Sequence, residues 1–298
     1  MNQHYHTIII GAGVAGMTAA LYLKRAGKKV LVIEKEAPGG QITRTSKIEN
    51  YPGFISIEGP ELAFTMYEQL TNLEVEFAYS EVTSIKGMTP YQVITDKEIY
   101  TSDYIILALG RKPRKLNVKN EEKLTGKGIS WCAVCDGPLY KNKRVAVIGG
   151  GRSALEETIY LSKLCKEVTL IHRRDDFRAD NELIDNVNRI ENIQIITNAE
   201  VVEFKEKDGI LDKIILTSKK QPILEVDGCF EFIGQEPSTS FLKETLNVDQ
   251  EGYIEVDQEY QTSLSHVYAC GDCLKKDLYQ IINACSEGAI VANTILKQ

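Results

Sequence analysis

The sequence lacks the features that would place the protein in a membrane or on a nucleic acid. No apolar run approaches the roughly 20 residues that a membrane-spanning helix needs. No block of Lys and Arg is long enough for a nucleic-acid arm, and 42 acidic residues against 35 basic ones give a net charge of -7. The polar N-terminus, Met1 to His6, has no export-signal pattern. We therefore expect a soluble, cytoplasmic protein that acts on small molecules or proteins.

Cysteine is sparse: three residues stand singly and four form two close pairs. There are seven cysteines in 298 residues, an odd number that fits a reducing compartment better than a disulfide-stapled secreted domain. Two pairs, Cys132/Cys135 and Cys270/Cys273, have the CxxC spacing of redox or metal sites. With 43% hydrophobic and 26% charged residues, the chain can form two ordinary globular domains.

The first 34 residues have the pattern of a dinucleotide-binding unit. A β-branched run, Thr7 to Ile10, leads into a glycine turn, Gly11 to Gly16, and a helical pattern over Met17 to Lys24. A second strand, Lys29 to Ile33, ends at Glu34, 23 positions after the first glycine. The three glycines allow a tight bend, a close approach to pyrophosphate and close helix packing. The carboxylate would bind ribose hydroxyls and repel a 2′-phosphate, so this site is predicted to take FAD or NAD.

The same pattern occurs again after residue 143. A strand, Arg144 to Ile148, leads into a second glycine turn, Gly149 to Ala154, then a helix to about Leu164 and a strand, Val168 to Ile171. Two such units in one chain predict two nucleotide sites, where a single GxGxxG would be weaker evidence.

The end of this second strand carries positive charge instead of a carboxylate. His172 stands 23 positions after Gly149 and is followed by Arg173, Arg174 and, one turn further on, Arg178. Hydrogen-bond donors and positive charge suit a phosphorylated ribose, which favours NADPH over NADH. The alternative is a solvated charge cluster offset by neighbouring aspartates.

Two strand patterns that end in glycine mark the crossings between these units. Tyr104 to Gly110 precedes the basic stretch Arg111 to Lys115, and Val226 to Gly234 precedes Gln235-Glu236-Pro237. The second unit is therefore predicted to be inserted into the first. We expect an α/β fold of two three-layer, Rossmann-like dinucleotide-binding domains: one of residues 1–113 and 239–298, and one of residues 114–238 that carries Cys132 and Cys135.

Cys132 and Cys135 are followed directly by Asp136. The CxxC arrangement can close a small disulfide ring and lower the pKa of one thiol. Disulfide exchange needs an attacking thiolate, a resolving thiol and a proton donor, which these three residues can supply. Two alternatives remain: small buried residues at chance spacing, and a four-thiolate zinc site completed by Cys270 and Cys273.

Over essentially its whole length the sequence resembles the low-molecular-weight thioredoxin reductases of bacteria. The resemblance rests on the two glycine turns with Glu34 and on five further motifs: Gly39-Gly40-Gln41, Glu49 to Gly53, Cys132 to Gly137, His172 to Arg178 and Gly271-Asp272. It implies a homodimeric NADPH-dependent flavoprotein that reduces thioredoxin or a thioredoxin-like protein. The first unit and the C-terminal segment would bind FAD, and the inserted unit would bind NADPH.

The resemblance also implies roles for individual residues. Cys135 would exchange electrons with the flavin, Cys132 would exchange with thioredoxin, and Asp136 would be the general acid or base. The implied FAD site consists of Gly11, Gly13, Ala15, Gly16, Glu34, Lys35, Gly40, Gln41, Asn50, Gly110, Gly271, Asp272 and Gln280. The implied NADPH site consists of Gly149, Gly151, Arg152, Ser153, His172, Arg173, Arg174 and Arg178. Because Asp272 belongs to the flavin site, no metal site is expected. A rotation between the domains is implied, with Arg111 to Lys115 and Gly234 to Pro237 as hinge candidates.

The sequence departs from the family pattern at a few positions. Arg152 stands in the second glycine turn, where the family has a short polar residue, and Tyr279 stands before Gln280, where the family has Arg. Cys270 and Cys273 beside the flavin aspartate are interpreted as small buried hydrophobic residues.

These departures leave other functions open. One is a related flavoenzyme with another electron donor or acceptor, such as a ferredoxin-dependent thioredoxin reductase or a dithiol oxidase that uses oxygen. Another is a non-catalytic flavin protein whose thiols sense redox state or bind metal. A peroxide-linked flavoprotein subunit would share the core but would carry an additional N-terminal redox domain, whereas this sequence starts at the first strand.

Overall fold

The structure is a computed structural model that describes residues 3–45 and 47–298, so Met1, Asn2 and Ser46 lie outside the described residues. The chain divides into two compact units. The first unit comprises Met1–Lys112 and Glu236–Gln298, and the second comprises Pro113–Gln235. Within the described residues, no helix combines the length and apolar character needed to cross a membrane.

The first segment contains seven strands, two α-helices and one 3-10 helix. They are β1 (His4–Ile10), α1 (Val14–Arg25), β2 (Val30–Glu34), the 3-10 helix Gly40–Arg44, α2 (Gly59–Thr71), β3 (Glu76–Tyr79), β4 (Val82–Lys86), β5 (Tyr91–Thr95), β6 (Ile99–Leu107) and β7 (Arg111–Pro113).

The second segment contains most of the second unit. Its elements are α3 (Glu121–Leu124), β8 (Ile129–Ser130), α4 (Ala133–Asp136), the 3-10 helix Gly137–Tyr140, β9 (Arg144–Gly149), α5 (Arg152–Ser162), β10 (Glu167–Ile171), α6 (Asn181–Asn188), β11 (Ile193–Ile196), β12 (Val201–Lys207), β13 (Ile210–Leu216), β14 (Ile223–Glu225), β15 (Gly228–Phe232) and β16 (Gln235–Pro237). The returning segment adds the 3-10 helices Ser240–Leu242 and Gly271–Cys273, β17 (Val267–Ala269) and α7 (Ile281–Leu296).

The core of the first unit is a mixed sheet in the order β3-β2-β1-β6-β5-β4, with β17 also paired to β6. Strands β3, β2, β1, β6 and β17 run parallel, whereas β4 and β5 join antiparallel to the start of β6. Alternate residues of the central strands face opposite sides: Ile9 and Ile106 pack with α1 and α7, and Ile8 and Ile105 pack against the β4–β5 side. All parallel strands therefore end at one edge, where the glycine turn lies.

The second unit repeats this plan on a smaller scale. Its parallel sheet has the order β11-β10-β9-β15-β8. One face packs on α5 through Val145 and Val147, and the other packs on an antiparallel sheet, β12-β13-β14. Strands β7 and β16 form a two-stranded sheet where the chain passes from one unit to the other. The predicted strand-turn-helix order is present in both units, and the antiparallel strands were not predicted.

An ionisable residue lies in the core of the second unit. Glu231 is in β15, opposite Ile148 in the register, and is only 2% exposed. Glu121 is also buried, and its carboxylate accepts hydrogen bonds from the backbone N–H groups of Leu116 at 2.9 Å and Val118 at 3.2 Å. Burial, followed by the charge of Glu121, raises the pKa of Glu231 to about 9. Glu231 therefore retains its proton at neutral pH.

This buried acid makes the stability of the protein depend on pH. In the unfolded chain a glutamate ionises above about pH 4.3, whereas in the folded protein the pKa of Glu231 is about 9. Its contribution is therefore complete below the unfolded pKa and is lost as the pH rises toward 9, by up to about 1.4 kcal/mol per pH unit. We expect Glu231→Gln to remove this slope in urea unfolding between about pH 5 and pH 9. The exposed Glu200→Gln is the matched control, and a slope that survives in Glu231→Gln would contradict the assignment.

Candidate functional site

The first glycine turn joins the end of β1 to the start of α1. Gly11 has a φ of +105°, and a Cβ there would lie 2.3 Å from the carbonyl oxygen of Ala108. A Cβ at Gly16 would lie 2.0 Å from the carbonyl oxygen of Gly11. Gly13 differs, because no atom of the described residues lies within 4 Å of its Cβ position. Two glycines thus permit close packing, while the third leaves an open cradle of the kind that a pyrophosphate fills.

Glu34 lies beside this turn at the end of β2. Its carboxylate accepts hydrogen bonds from the backbone N–H of Ala12 at 2.7 Å and of Glu36 at 2.9 Å. Each carboxylate oxygen can accept more than one hydrogen bond, so both remain able to accept ribose hydroxyls. The open cradle and the fixed carboxylate fit the adenosine half of a dinucleotide such as FAD. The neighbouring Lys35 instead pairs with Glu81 at the surface, with 3.6 Å between Nζ and Oε1.

The Gly39-Gly40 segment packs against the glycine turn. Gly39 N–H donates to the carbonyl oxygen of Ala12 at 2.8 Å, and a Cβ at Gly40 would lie 3.3 Å from the Cα of Gly13. This contact starts the 3-10 helix that carries Gln41, whose amide donates to Asp272 at 3.3 Å. In the same unit, the Asn50 amide donates to the side-chain oxygen of Gln280 at 2.9 Å. Two pairs of residues that were predicted from separate motifs are therefore in contact: Gln41 with Asp272, and Asn50 with Gln280.

A buried ion pair holds the turn that carries Asp272. The N–H of Gly271 donates to Glu287 at 2.7 Å, and its carbonyl oxygen accepts from Lys276 at 2.8 Å. Lys276 and Glu287 pair with each other at 2.5 Å, and each side chain is 12% exposed. A Cβ at Gly271 would lie 2.9 Å from the Cβ of Ala15, so the turn also packs on α1. Sequence reasoning missed this ion pair, because its two members are 11 positions apart on different elements.

Asp272 has a further partner that was predicted only as part of a hinge. Arg111 directly follows Gly110, and its guanidinium lies 3.3 Å from the carboxylate of Asp272. The same guanidinium stacks on Tyr279, with 3.6 Å between its carbon and the ring centre. Burial, followed by a hydrogen bond with Tyr253, raises the pKa of Tyr279 to about 12, so its phenol is neutral. Tyr279 therefore forms part of the surroundings of Asp272, where the family pattern has an arginine.

The second glycine turn has the same division of roles as the first. A Cβ at Gly149 would lie 2.5 Å from the carbonyl oxygen of Phe232, whereas at Gly151 no atom of the described part of the chain lies within 4 Å. The segment after β10 returns to this turn, because the N–H of Arg178 donates to the carbonyl oxygen of Gly150 at 2.7 Å. Exposed Ser153 follows Arg152 at the start of α5. An open cradle and a cationic segment are thus adjacent.

His172 differs from the arginines that follow it. Its ring is 6% exposed, stacks on Phe177 with 5.3 Å between ring centres, and occupies the space that a Cβ at Gly150 would take. Burial lowers the pKa of His172, which favours the neutral ring. His172 thus supports the glycine turn by packing.

Arg173, Arg174 and Arg178 are exposed, and none forms an ion pair within residues 3–45 and 47–298. The nearby Asp175 accepts hydrogen bonds from the side chains of Thr197 at 3.2 Å and Asn198 at 2.7 Å instead. These three exposed guanidinium groups follow the end of β10 and have donors free for a ligand.

Arg152, the departure in the second glycine turn, is paired within the unit. It contacts Glu156 at 2.8 Å, one helical turn along α5, and also pairs with Asp180. Its charge is therefore largely balanced by two carboxylates, and the open space at Gly151 remains beside it.

The two cysteines of the first CxxC form a disulfide, with 5.4 Å between their Cα atoms. Cys132 follows β8, Cys135 lies in the short helix α4 and is exposed, and Asp136 ends that helix. The N–H of Cys132 donates to the Ser130 hydroxyl oxygen at 3.0 Å, and the N–H of Cys135 donates to Cys132 Sγ at 3.2 Å. An N–H directed at this sulfur would stabilise a Cys132 thiolate once the disulfide is reduced.

Cys270 and Cys273 are fully buried on opposite faces of the first unit's sheet. Burial raises the pKa of both thiols, that of Cys273 to about 11. Among the described residues, no group of three or more His, Cys, Asp or Glu side chains is arranged to hold a metal ion. The geometry therefore offers no support for the four-thiolate alternative.

Known proteins share this architecture along the whole chain. Residues 5–288 match the model of a family described as pyridine nucleotide-disulphide oxidoreductase. The thioredoxin reductase of Ureaplasma parvum is 42% identical over 299 residues, which covers 98% of this chain and 96% of that protein. The crystal structure of Lactococcus lactis thioredoxin reductase (FR conformation) superposes with a TM-score of 0.88 at 37% identity and 98% coverage of both chains. That of T. acidophilum thioredoxin reductase superposes with a TM-score of 0.86 at 34% identity and 99% coverage of both.

Thioredoxin reductases of this family use FAD and NADPH. The comparisons confirm the predicted two-domain Rossmann-like α/β fold and the predicted class, an FAD-dependent oxidoreductase that acts on disulfides. On this evidence, the chain belongs to the pyridine nucleotide-disulphide oxidoreductase family.

Proposed function

We propose that the protein reduces the disulfide of thioredoxin or a thioredoxin-like protein, with electrons passing from NADPH through FAD to Cys132 and Cys135. The observation that carries this proposal is the Cys132–Cys135 disulfide, formed within a unit that also presents an open glycine turn and a cationic segment. We assign FAD to the first unit and NADPH to the second.

The first unit would hold FAD through the open backbone at Gly13 and the carboxylate of Glu34, with Gln41, Asn50 and Asp272 further along the cofactor. When bound, the flavin would accept a hydride from the nicotinamide and pass the electron pair to the disulfide. Glu34 fixes the ribose, while the Lys276–Glu287 pair keeps the Asp272 turn in one conformation.

The cysteines would transfer the electron pair by disulfide exchange. The Cys132 thiolate attacks one sulfur of the thioredoxin disulfide and releases the other as a thiolate. Cys135 then attacks the mixed disulfide, which restores the Cys132–Cys135 bond and releases reduced thioredoxin. Asp136 would hold the proton that the leaving sulfur needs.

A cytoplasmic location and a homodimer are further parts of the proposal. Five cysteines of the described chain are free thiols, which fits a reducing compartment. Exposed apolar side chains on α7, Ile282 and Ile290, offer a surface for a second copy. Light scattering of the purified protein would test this, and a monomer at micromolar concentration would count against the dimer.

The relay requires Cys135. We expect Cys135→Ser to abolish thioredoxin reduction while the yellow flavin spectrum is retained, because the serine cannot form the disulfide. Cys165→Ala is the control: burial raises the pKa of the Cys165 thiol to about 11, so it is inert and its loss should leave turnover near that of the wild type. Thioredoxin turnover that persists in Cys135→Ser would rule out the relay.

The choice of donor depends on the exposed arginines. We expect the double variant Arg173→Gln, Arg174→Gln to raise KM for NADPH by at least about tenfold and to change KM for NADH little, since only NADPH carries the 2′-phosphate. Arg189→Gln removes an exposed charge elsewhere in the second unit and is the control. Equal effects on both nucleotides would mean that the arginines do not bind this phosphate. The wild-type flavin is also tested with dithionite. If dithionite reduces it but neither nucleotide does, coupling to ferredoxin or oxygen becomes the better hypothesis.

Substitutions at Gly13 and Gly151, the two glycines with open space at the Cβ position, should each affect the binding of a different cofactor. Gly13→Ala places a methyl group where space is free, so we expect a folded protein whose FAD affinity falls by at least about tenfold. Gly151→Ala is its counterpart, expected to weaken NADPH binding and to leave the FAD content unchanged. FAD content after purification and NADPH titration measure the two effects. Unchanged FAD binding in Gly13→Ala would contradict the assignment of the pyrophosphate to this turn.

A further inference from the structure

The side chain of Arg111 is held in place by more contacts than a hinge residue needs. It begins β7, directly after the glycine that ends the β6 crossing, and its side chain is only 17% exposed. One guanidinium nitrogen lies 3.3 Å from Asp272 Oδ2, an oxygen that also accepts from Gln41 at 3.3 Å. Arg111 is thus joined to two residues proposed to contact the flavin.

Stacking fixes the plane of this guanidinium. The Arg111 guanidinium carbon lies 3.6 Å from the centre of the Tyr279 ring, and the Tyr279 hydroxyl accepts from the N–H of Lys276 at 3.3 Å. A planar cation on an aromatic face, with one edge on a carboxylate, has little freedom to turn. Its Nε is buried and has no hydrogen-bond partner among the described residues, so the contacts of the guanidinium are those with Asp272 and Tyr279.

We propose that Arg111 is a positioning residue of the flavin site, whose guanidinium holds Asp272 and makes the site bind reduced flavin more tightly than it otherwise would. This inference rests on the proposed function, since it assumes that the site takes FAD. Reduced flavin carries a negative charge at neutral pH. The carboxylate of Asp272 alone would repel that charge. Arg111 balances the carboxylate at 3.3 Å, where the two side chains are 17% and 19% exposed.

The other charges beside Asp272 do not supply this balance. Lys276 and Glu287 pair with each other at 2.5 Å and are directed at the backbone of Gly271. Lys112, the next residue along β7, pairs with Glu236 at the surface at 3.4 Å. Removal of Arg111 would therefore leave Asp272 with the neutral amide of Gln41 as its remaining described side-chain partner.

The test compares Arg111→Met, Arg111→Lys and the control Lys112→Met, which loses the same charge one residue away. All are made in a Cys132→Ser, Cys135→Ser background, so that this disulfide does not titrate together with the flavin. Two quantities are measured: FAD affinity of the apoprotein by flavin fluorescence, and the flavin midpoint potential against a reference dye. Neither depends on turnover.

We expect Arg111→Met to bind FAD about tenfold more weakly and to lower the midpoint potential by about 30 mV, which corresponds to a tenfold loss in the preference for reduced flavin. Arg111→Lys, which retains the charge without the planar stack, should lie between, and Lys112→Met should match the parent. A wild-type potential in Arg111→Met would overturn the proposal, even if FAD binds less tightly. A parent protein that binds no FAD would instead overturn the proposed function and this inference with it.

Discussion

The close contact of backbone with backbone at the two glycine turns determines where everything else in the two sites lies. In the first unit the start of α1 can approach the end of β1 because Gly16 has no side chain, and in the second unit the turn can lie against Phe232 because Gly149 has none. Since β2 and β10 pair in parallel with β1 and β9, their ends lie beside these turns. In each unit, glycine packing therefore sets the position of this strand end relative to the open turn.

Within this shared geometry, electrostatics separates the two sites. Glu34 is held by backbone N–H groups in a position where a phosphate would be repelled. At the matching end of β10 lies the buried ring of His172, whose pKa is lowered by burial, and exposed arginines follow it. The chain thus uses the same strand-turn-helix unit twice, with a carboxylate at one strand end and guanidinium groups after the other.

Features encoded locally could be predicted from the sequence, and features that depend on distant contacts could not. The glycine turns, Glu34 and the Cys132–Cys135 pair each lie within one short segment, so spacing alone indicated them. The contact of Gln41 with Asp272 joins residues 231 positions apart, and neither motif indicates this contact. Arg111 was interpreted as part of a domain crossing because its partners lie more than 150 positions away in the chain. His172 is a related case: the spacing indicates the residue, but a pattern cannot tell whether its ring faces solvent or packs on Gly150.

The buried charges around Asp272 also have a physical cost that the first unit must offset. Removing Lys276 and Glu287 from water is unfavourable, and a single pair of charges rarely repays its desolvation. Here each member also bonds to the backbone of Gly271, so the pair satisfies an N–H and a carbonyl oxygen that close packing on Ala15 shields. The same reasoning applies to Arg111, whose stacking on Tyr279 replaces part of its hydration. Charges retained at such a cost beside Asp272 are better explained by the fixed geometry they impose than by their contribution to stability.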